Sequence, residues 1–140
     1  MSILRWLAVT VTLLVAPLGA HADPQAIAGA QSTIEAQLEA FLAGDGDAAY
    51  SHAAPNIMRM YPTKDAFMAM VQKGYPPVHR PRNYAFGRSE MAGPGKVVQH
   101  VLILGPDGKD YEAVYTLELQ PDGVFRITGV SLRGATALST

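Results

Sequence analysis

Four runs with strand character follow one another in the second half of this chain, at residues 83–90, 96–104, 109–119 and 124–133, with only short turns between them. All come after a helix-rich first half. Strands joined this tightly pair as an antiparallel meander, and the apolar face of such a sheet needs a covering layer. Between Ile27 and Leu42 the residues Ile27, Ala30, Ile34, Leu38, Phe41 and Leu42 recur every three or four positions, which predicts a helix with one buried face. The order therefore predicts an α+β fold. A long N-terminal helix and two short helices pack on a curved four-stranded antiparallel sheet.

Local signals set the element ends. Asp23-Pro24 reads as an N-cap with proline at the first helical position, Ser32 to Glu35 as an alternative capping box, and Gly44 as a left-handed stop. Asp47 is expected to cap a short helix that Ala54-Pro55 stops, and Thr63 to cap another that ends at Gly74. Residues 74–84 hold Pro76, Pro77 and Pro81 and read as an extended connection. Gly105-Pro106-Asp107-Gly108 and Gln120-Pro121-Asp122-Gly123 are hairpin turns. Tyr111, Ala113, Tyr115, Leu117 and Leu119 alternate onto one face, whereas residues 97–104 are apolar on both faces apart from Gln99 and His100, as in a doubly covered strand. The expected core sets Ile34, Leu38, Phe41 and Leu42 against Val101, Ile103, Tyr115, Leu117, Phe125 and Ile127.

The first 22 residues read as an export signal. Arg5 supplies a positive charge, an apolar run follows to Val15, Pro17 and Gly19 break it, and Ala20-His21-Ala22 has the small-x-small pattern of a cleavage site. The run is about half the length of a bilayer crossing, so no retained membrane anchor is expected. Residues 23–140 then form a single domain, periplasmic or secreted, with 10 basic and 12 acidic side chains. That balance argues against nucleic acid as a partner. The chain has no cysteine, so disulfides and thiol chemistry are excluded.

The runs Gln37-Leu38-Glu39-Ala40-Phe41, Asp47-Ala48-Ala49-Tyr50-Ser51-His52-Ala53-Ala54-Pro55 and Phe67-Met68-Ala69-Met70-Val71 resemble a family of small exported bacterial proteins of unknown function. So do Gly74-Tyr75-Pro76-Pro77-Val78, Gln99-His100-Val101 and the stretch from Asp122 to Val130. That family is similar to the nuclear-transport-factor-2-like superfamily, whose cone-shaped α+β fold is shared with ketosteroid isomerases and scytalone dehydratase. The resemblance implies a concave pocket between helix and sheet. It carries over no catalytic residue, since the isomerases' Tyr and Asp pair has no matching position here.

Within such a pocket the amphipathic or titratable candidates are Tyr50, Tyr61, Gln99, His100 and Tyr115. Neighbours on a strand face opposite ways, so Gln99 and His100 cannot both point inward without a bulge; Gln99 inward leaves His100 on the convex side, at a possible homodimer surface. Lys73, Arg80, Arg82 and Arg88 lie in an acid-free stretch that could meet an anion or an acidic partner, against the alternative of a solvated connection. Met58, Met60, Met68 and Met70 form two Met-x-Met pairs, which is either soft-metal (copper) chemistry or gap-filling in a core. No metal-spaced histidines, paired carboxylates or phosphate loop appear, and no cofactor is expected.

These signs point to an exported, non-catalytic domain that takes a small apolar ligand or a protein partner on its concave face. An isomerase- or dehydratase-like enzyme using His100, Tyr50 or Tyr115, and a copper binder, are the alternatives. Export predicts a mature N-terminus at Asp23. Mass spectrometry of the exported fraction should show this mass, and recovery of intact Met1 there would contradict it.

Overall fold

The computed structural model describes residues 23–135; the segment read as an export signal, 1–22, lies outside the described residues, as does 136–140. Helix α1 (Pro24–Leu42) begins where Asp23 accepts from the amides of Gln25 and Ala26 at 3.1 and 3.3 Å. It runs through Ser32 and Thr33 without a restart, so the capping-box alternative is not used. The Thr33 hydroxyl donates to the Phe125 carbonyl at 2.7 Å instead, tying the helix to the sheet. At the other end Gly44, at φ +71°, lets its amide and that of Asp45 turn back to the carbonyls of Phe41 and Ala40.

Four shorter helices follow: α2 (Gly46–Ser51), α3 (Pro55–Met60), α4 (Lys64–Gly74) and α5 (Pro76–His79). This differs from the expected two in three places. Asp45, not Asp47, caps α2 by accepting from Ala48 at 3.1 Å; Asp47 lies in the first turn and pairs with Lys64 at 3.3 Å. Helix α2 stops at Ser51, before Ala54-Pro55 is reached, and Pro55 opens α3 at the first position, where a missing N–H costs nothing. Pro76 starts α5 in the same way, inside a stretch read as extended. Thr63 caps α4 through the Ala66 amide, as expected.

Strands β1 (Asn83–Gly93), β2 (Lys96–Leu104), β3 (Asp110–Leu119) and β4 (Phe125–Gly134) form an open antiparallel sheet in the order β1-β2-β3-β4. Two irregularities matter. Opposite His100, β1 bulges between Phe86 and Ser89, and β4 carries an extra residue, Thr128, between the partners of Thr116 and Leu117. Beyond the ladder, Ile127 donates to the His52 carbonyl at 2.9 Å and receives the Ala54 amide at 2.8 Å, so the α2–α3 junction is fastened alongside β4.

The five described helices lie on one face of the sheet, and the core sits between the two layers. Ile34, Leu38 and Phe41 are buried with Val101, Ile103, Tyr115, Leu117, Phe125 and Ile127. Gly29 makes room for Phe125: a Cβ there would stand 3.0 Å from its ring. Leu42, expected in the core, is 47% exposed because it lies at the helix end, past the last buried turn. The expectation that residues 97–104 are covered on both faces also fails. Val97, Gln99, Val101 and Ile103 are buried, while Leu102 on the uncovered face is 49% exposed. No helix among the described residues is long and apolar enough to cross a membrane.

Phe41 stacks on Phe67 with centroids 6.2 Å apart, and both are buried. Truncating Phe41 or Phe125 to alanine should cost about 3–5 kcal/mol in denaturant unfolding. A loss under about 1 kcal/mol at both would mean α1 does not rest on this sheet.

Candidate functional site

Where α1, α3, α4 and α5 meet the bulged part of β4, the helical layer does not close. A cavity of about 290 Å³ remains. Its inner wall is Gln37, Phe41, Ala53, Phe67, Val71, Val78 and Ile127, all buried. Its outer wall is Asn56, Ile57, Met60, Tyr61, Met70, Tyr75 and residues 128–130. Met60, at 66% exposure, marks the mouth. The β4 bulge helps make this wall, since it lets Ile127 and Val130, three positions apart, both face the helices.

The lining is largely apolar and contains no Asp, Glu, Lys, Arg or His among the described residues. Its two amides are anchored to backbone: Gln37 Nε2 donates to Ala49 O at 3.1 Å, and Asn56 Nδ2 to Thr128 O at 2.9 Å. Such a surface can hold and orient a ligand by shape and neutral hydrogen bonds.

The residues singled out from sequence are distributed more widely. Tyr61 lines the cavity. Tyr50 does not, but its hydroxyl donates to the Tyr61 carbonyl at 2.5 Å and its ring packs 5.2 Å from Phe67, so it braces the wall from behind. Tyr115 is fully buried in the core, and its hydroxyl has no hydrogen-bond partner among the described residues. Burial pushes its pKa far above the ordinary phenol value. Gln99 points to the helical side, as its burial shows, and plugs the β1 bulge: Nε2 donates to the carbonyls of Gly87 and His100, and Oε1 accepts from Gln31 and Ser89.

His100 lies on the opposite, uncovered face. Its Nδ1 donates to Glu112 at 3.0 Å, its Nε2 accepts from Arg88 at 3.4 Å, and Arg133 also donates to Glu112. The basic residues do not converge. Arg80 donates to the carbonyls of Phe41 and Leu42 at the C-terminus of α1, Arg82 donates to Pro106 O at 2.7 Å, Arg88 serves His100, and Lys73 lies in the last turn of α4. Of the four methionines, Met60 and Met70 line the cavity while Met58 and Met68 do not. Two other histidines are held below their ordinary pKa by burial first and then by a nearby cation, Arg126 for His52 and Arg80 for His79.

Gln37, Asn56 and Tyr75 are lining residues that sequence reasoning passed over. Gln37 had a readable signal. It stands three residues after Ile34 and four before Phe41, a polar side chain on the apolar stripe of the helix. Asn56 was hidden because Pro55 was read only as a stop.

Fold and cavity together define a mixed α+β domain with an open antiparallel sheet and one apolar, uncharged recess described under its helices. The chain belongs to the family described as a domain of unknown function (DUF4864), which matches residues 24–140. No curated protein and no solved structure matches it.

The outer-face cluster has a pH signature. Hydrogen bonds from His100 first and Arg133 second hold the Glu112 carboxyl below its ordinary range. A lowered carboxyl pKa contributes stability above the unfolded value, and that contribution is lost as pH falls through the folded one. Glu112→Gln should therefore flatten the stability–pH curve below about pH 4.5, relative to wild type, in urea titrations. Identical slopes would mean the cluster is solvated and uncoupled.

Proposed function

We propose that this is an exported binding domain, built on a nuclear-transport-factor-2-like cone, that holds a small apolar ligand in the recess between α1, α3, α4 and β4. The observation that carries the reading is the combination of an apolar lining with the lack of any carboxylate, imidazole, ammonium or guanidinium on the described walls. Acid–base catalysis draws most often on imidazole or carboxylate, and the titratable side chains on the described walls are the phenols of Tyr61 and Tyr75, so this recess offers mainly neutral hydrogen bonds and contact area. At interior packing density its enclosed part has room for roughly 12 to 16 non-hydrogen atoms, and a slightly larger molecule can extend through the mouth beside Met60. The four-stranded meander with helices on one face supports the cone. Export rests on the leader-like pattern of residues 1–22, and the family match begins at residue 24, just past the expected cleavage.

The neutral dye N-phenyl-1-naphthylamine is a suitable first probe, since its fluorescence rises in an apolar site. It should bind the wild-type protein in the micromolar range, and Met70→Trp, which fills the recess from its outer wall, should weaken it at least about tenfold. Unchanged dye binding in a folded Met70→Trp variant would place the ligand elsewhere or nowhere.

A further inference from the structure

One polar group lies on the inner wall of the recess. Gln37 is 3% exposed, and its Nε2 donates to the Ala49 carbonyl at 3.1 Å. A carbonyl only accepts, so this bond fixes which amide atom is nitrogen. Oε1 then meets no donor among the described residues, yet it is not sealed in. Tyr115 Oη is the one fully enclosed side-chain polar atom without a partner there, while Gln37 lines the recess. Asn56 repeats the arrangement nearer the mouth: Nδ2 is committed to Thr128 O at 2.9 Å, which leaves Oδ1 to accept. Each amide thus leaves its oxygen without a donor among the described residues, on a side chain that lines the ligand space.

The surroundings decide what can satisfy them. Phe41, Phe67, Val71, Val78 and Ile127 supply apolar contact, and no cation lines the described walls. A carboxylate ligand would lose its hydration, find no counter-charge, and set its own oxygens against those of the two amides. A ligand with a neutral O–H would satisfy Gln37 Oε1 and bury its remainder against the apolar wall. Resting on the ligand-binding reading above, we infer that the recess selects uncharged alcohols or phenols, whose hydroxyl donates to Gln37 Oε1, over fatty or aromatic acids of the same size.

The test is competition against bound N-phenyl-1-naphthylamine at pH 7.5, using the purified protein and three probes: 4-pentylphenol, 4-pentylanisole and 4-pentylbenzoate. The anisole keeps the oxygen but cannot donate, and the benzoate carries the charge. The phenol should bind about tenfold tighter than the anisole and about a hundredfold tighter than the benzoate. Gln37→Met should bring phenol and anisole within about twofold of each other. Equal binding of phenol and anisole to wild type overturns the Gln37 anchor while leaving the recess as a binding site. A benzoate that binds best overturns the selection for neutral ligands. Dye binding that none of the three probes displaces overturns the ligand class, and failure of both the dye and, by calorimetry, 4-pentylphenol to bind removes the underlying binding reading. If Gln37→Met does not fold, the wild-type phenol-to-anisole ratio decides alone.

Discussion

The structure depends on one contact: the apolar stripe of α1 laid on the inner face of the meander. Ile34, Leu38 and Phe41 are buried there with Val101, Leu117 and Ile127, and among the described residues α1 supplies more fully buried apolar side chains to this core than any other helix. Without disulfides, this burial is the main term opposing chain entropy. The polar ties are placed to hold the same geometry. Thr33 fixes the helix to Phe125, and the strand-like link between Ala53 and Ile127 fixes the following helices to β4. The recess is a consequence. One helix cannot cover four strands, and α3, α4 and α5 span the remaining gap over β4 without filling it.

The two faces of the sheet divide the chemistry. Towards the helices, the amides and hydroxyls are neutral, and Gln99 in the β1 bulge is tied down at both ends of its amide, whereas Tyr115 Oη has no partner among the described residues. Away from them, charge is grouped around His100, Glu112, Arg88 and Arg133, beside the half-exposed Leu102. A histidine in an apolar-looking strand therefore belongs to the charged side. The strand's alternation, not its composition, decides this.

Much of the fold was legible because its signals are local and agree with one another. The period of α1, its aspartate cap, the glycine stop and the two Pro-Asp-Gly turns each specify an end or a face without tertiary information. What was missed has a common physical origin. Pro55 and Pro76 read as interruptions of a helix and are equally good first residues of one, so the same residue carries two messages. Leu42 satisfies the helical period but falls beyond the contact, which only the packing decides. The recess was less legible still. Its wall is assembled from α1, α3, α4, α5 and β4, and its shape depends on a bulge at Thr128 that no dipeptide announces. Gln37 was the exception, a polar break in an apolar stripe.

A crystal structure of the protein soaked with 4-pentylphenol would be the most direct measurement. Binding in the helix–sheet recess predicts density for the ring against Phe41, Val71 and Ile127, with the hydroxyl about 2.7–2.8 Å from Gln37 Oε1. An empty recess closed by Phe67 or Met70, with the phenol on the uncovered face of the sheet near Leu102, would contradict it.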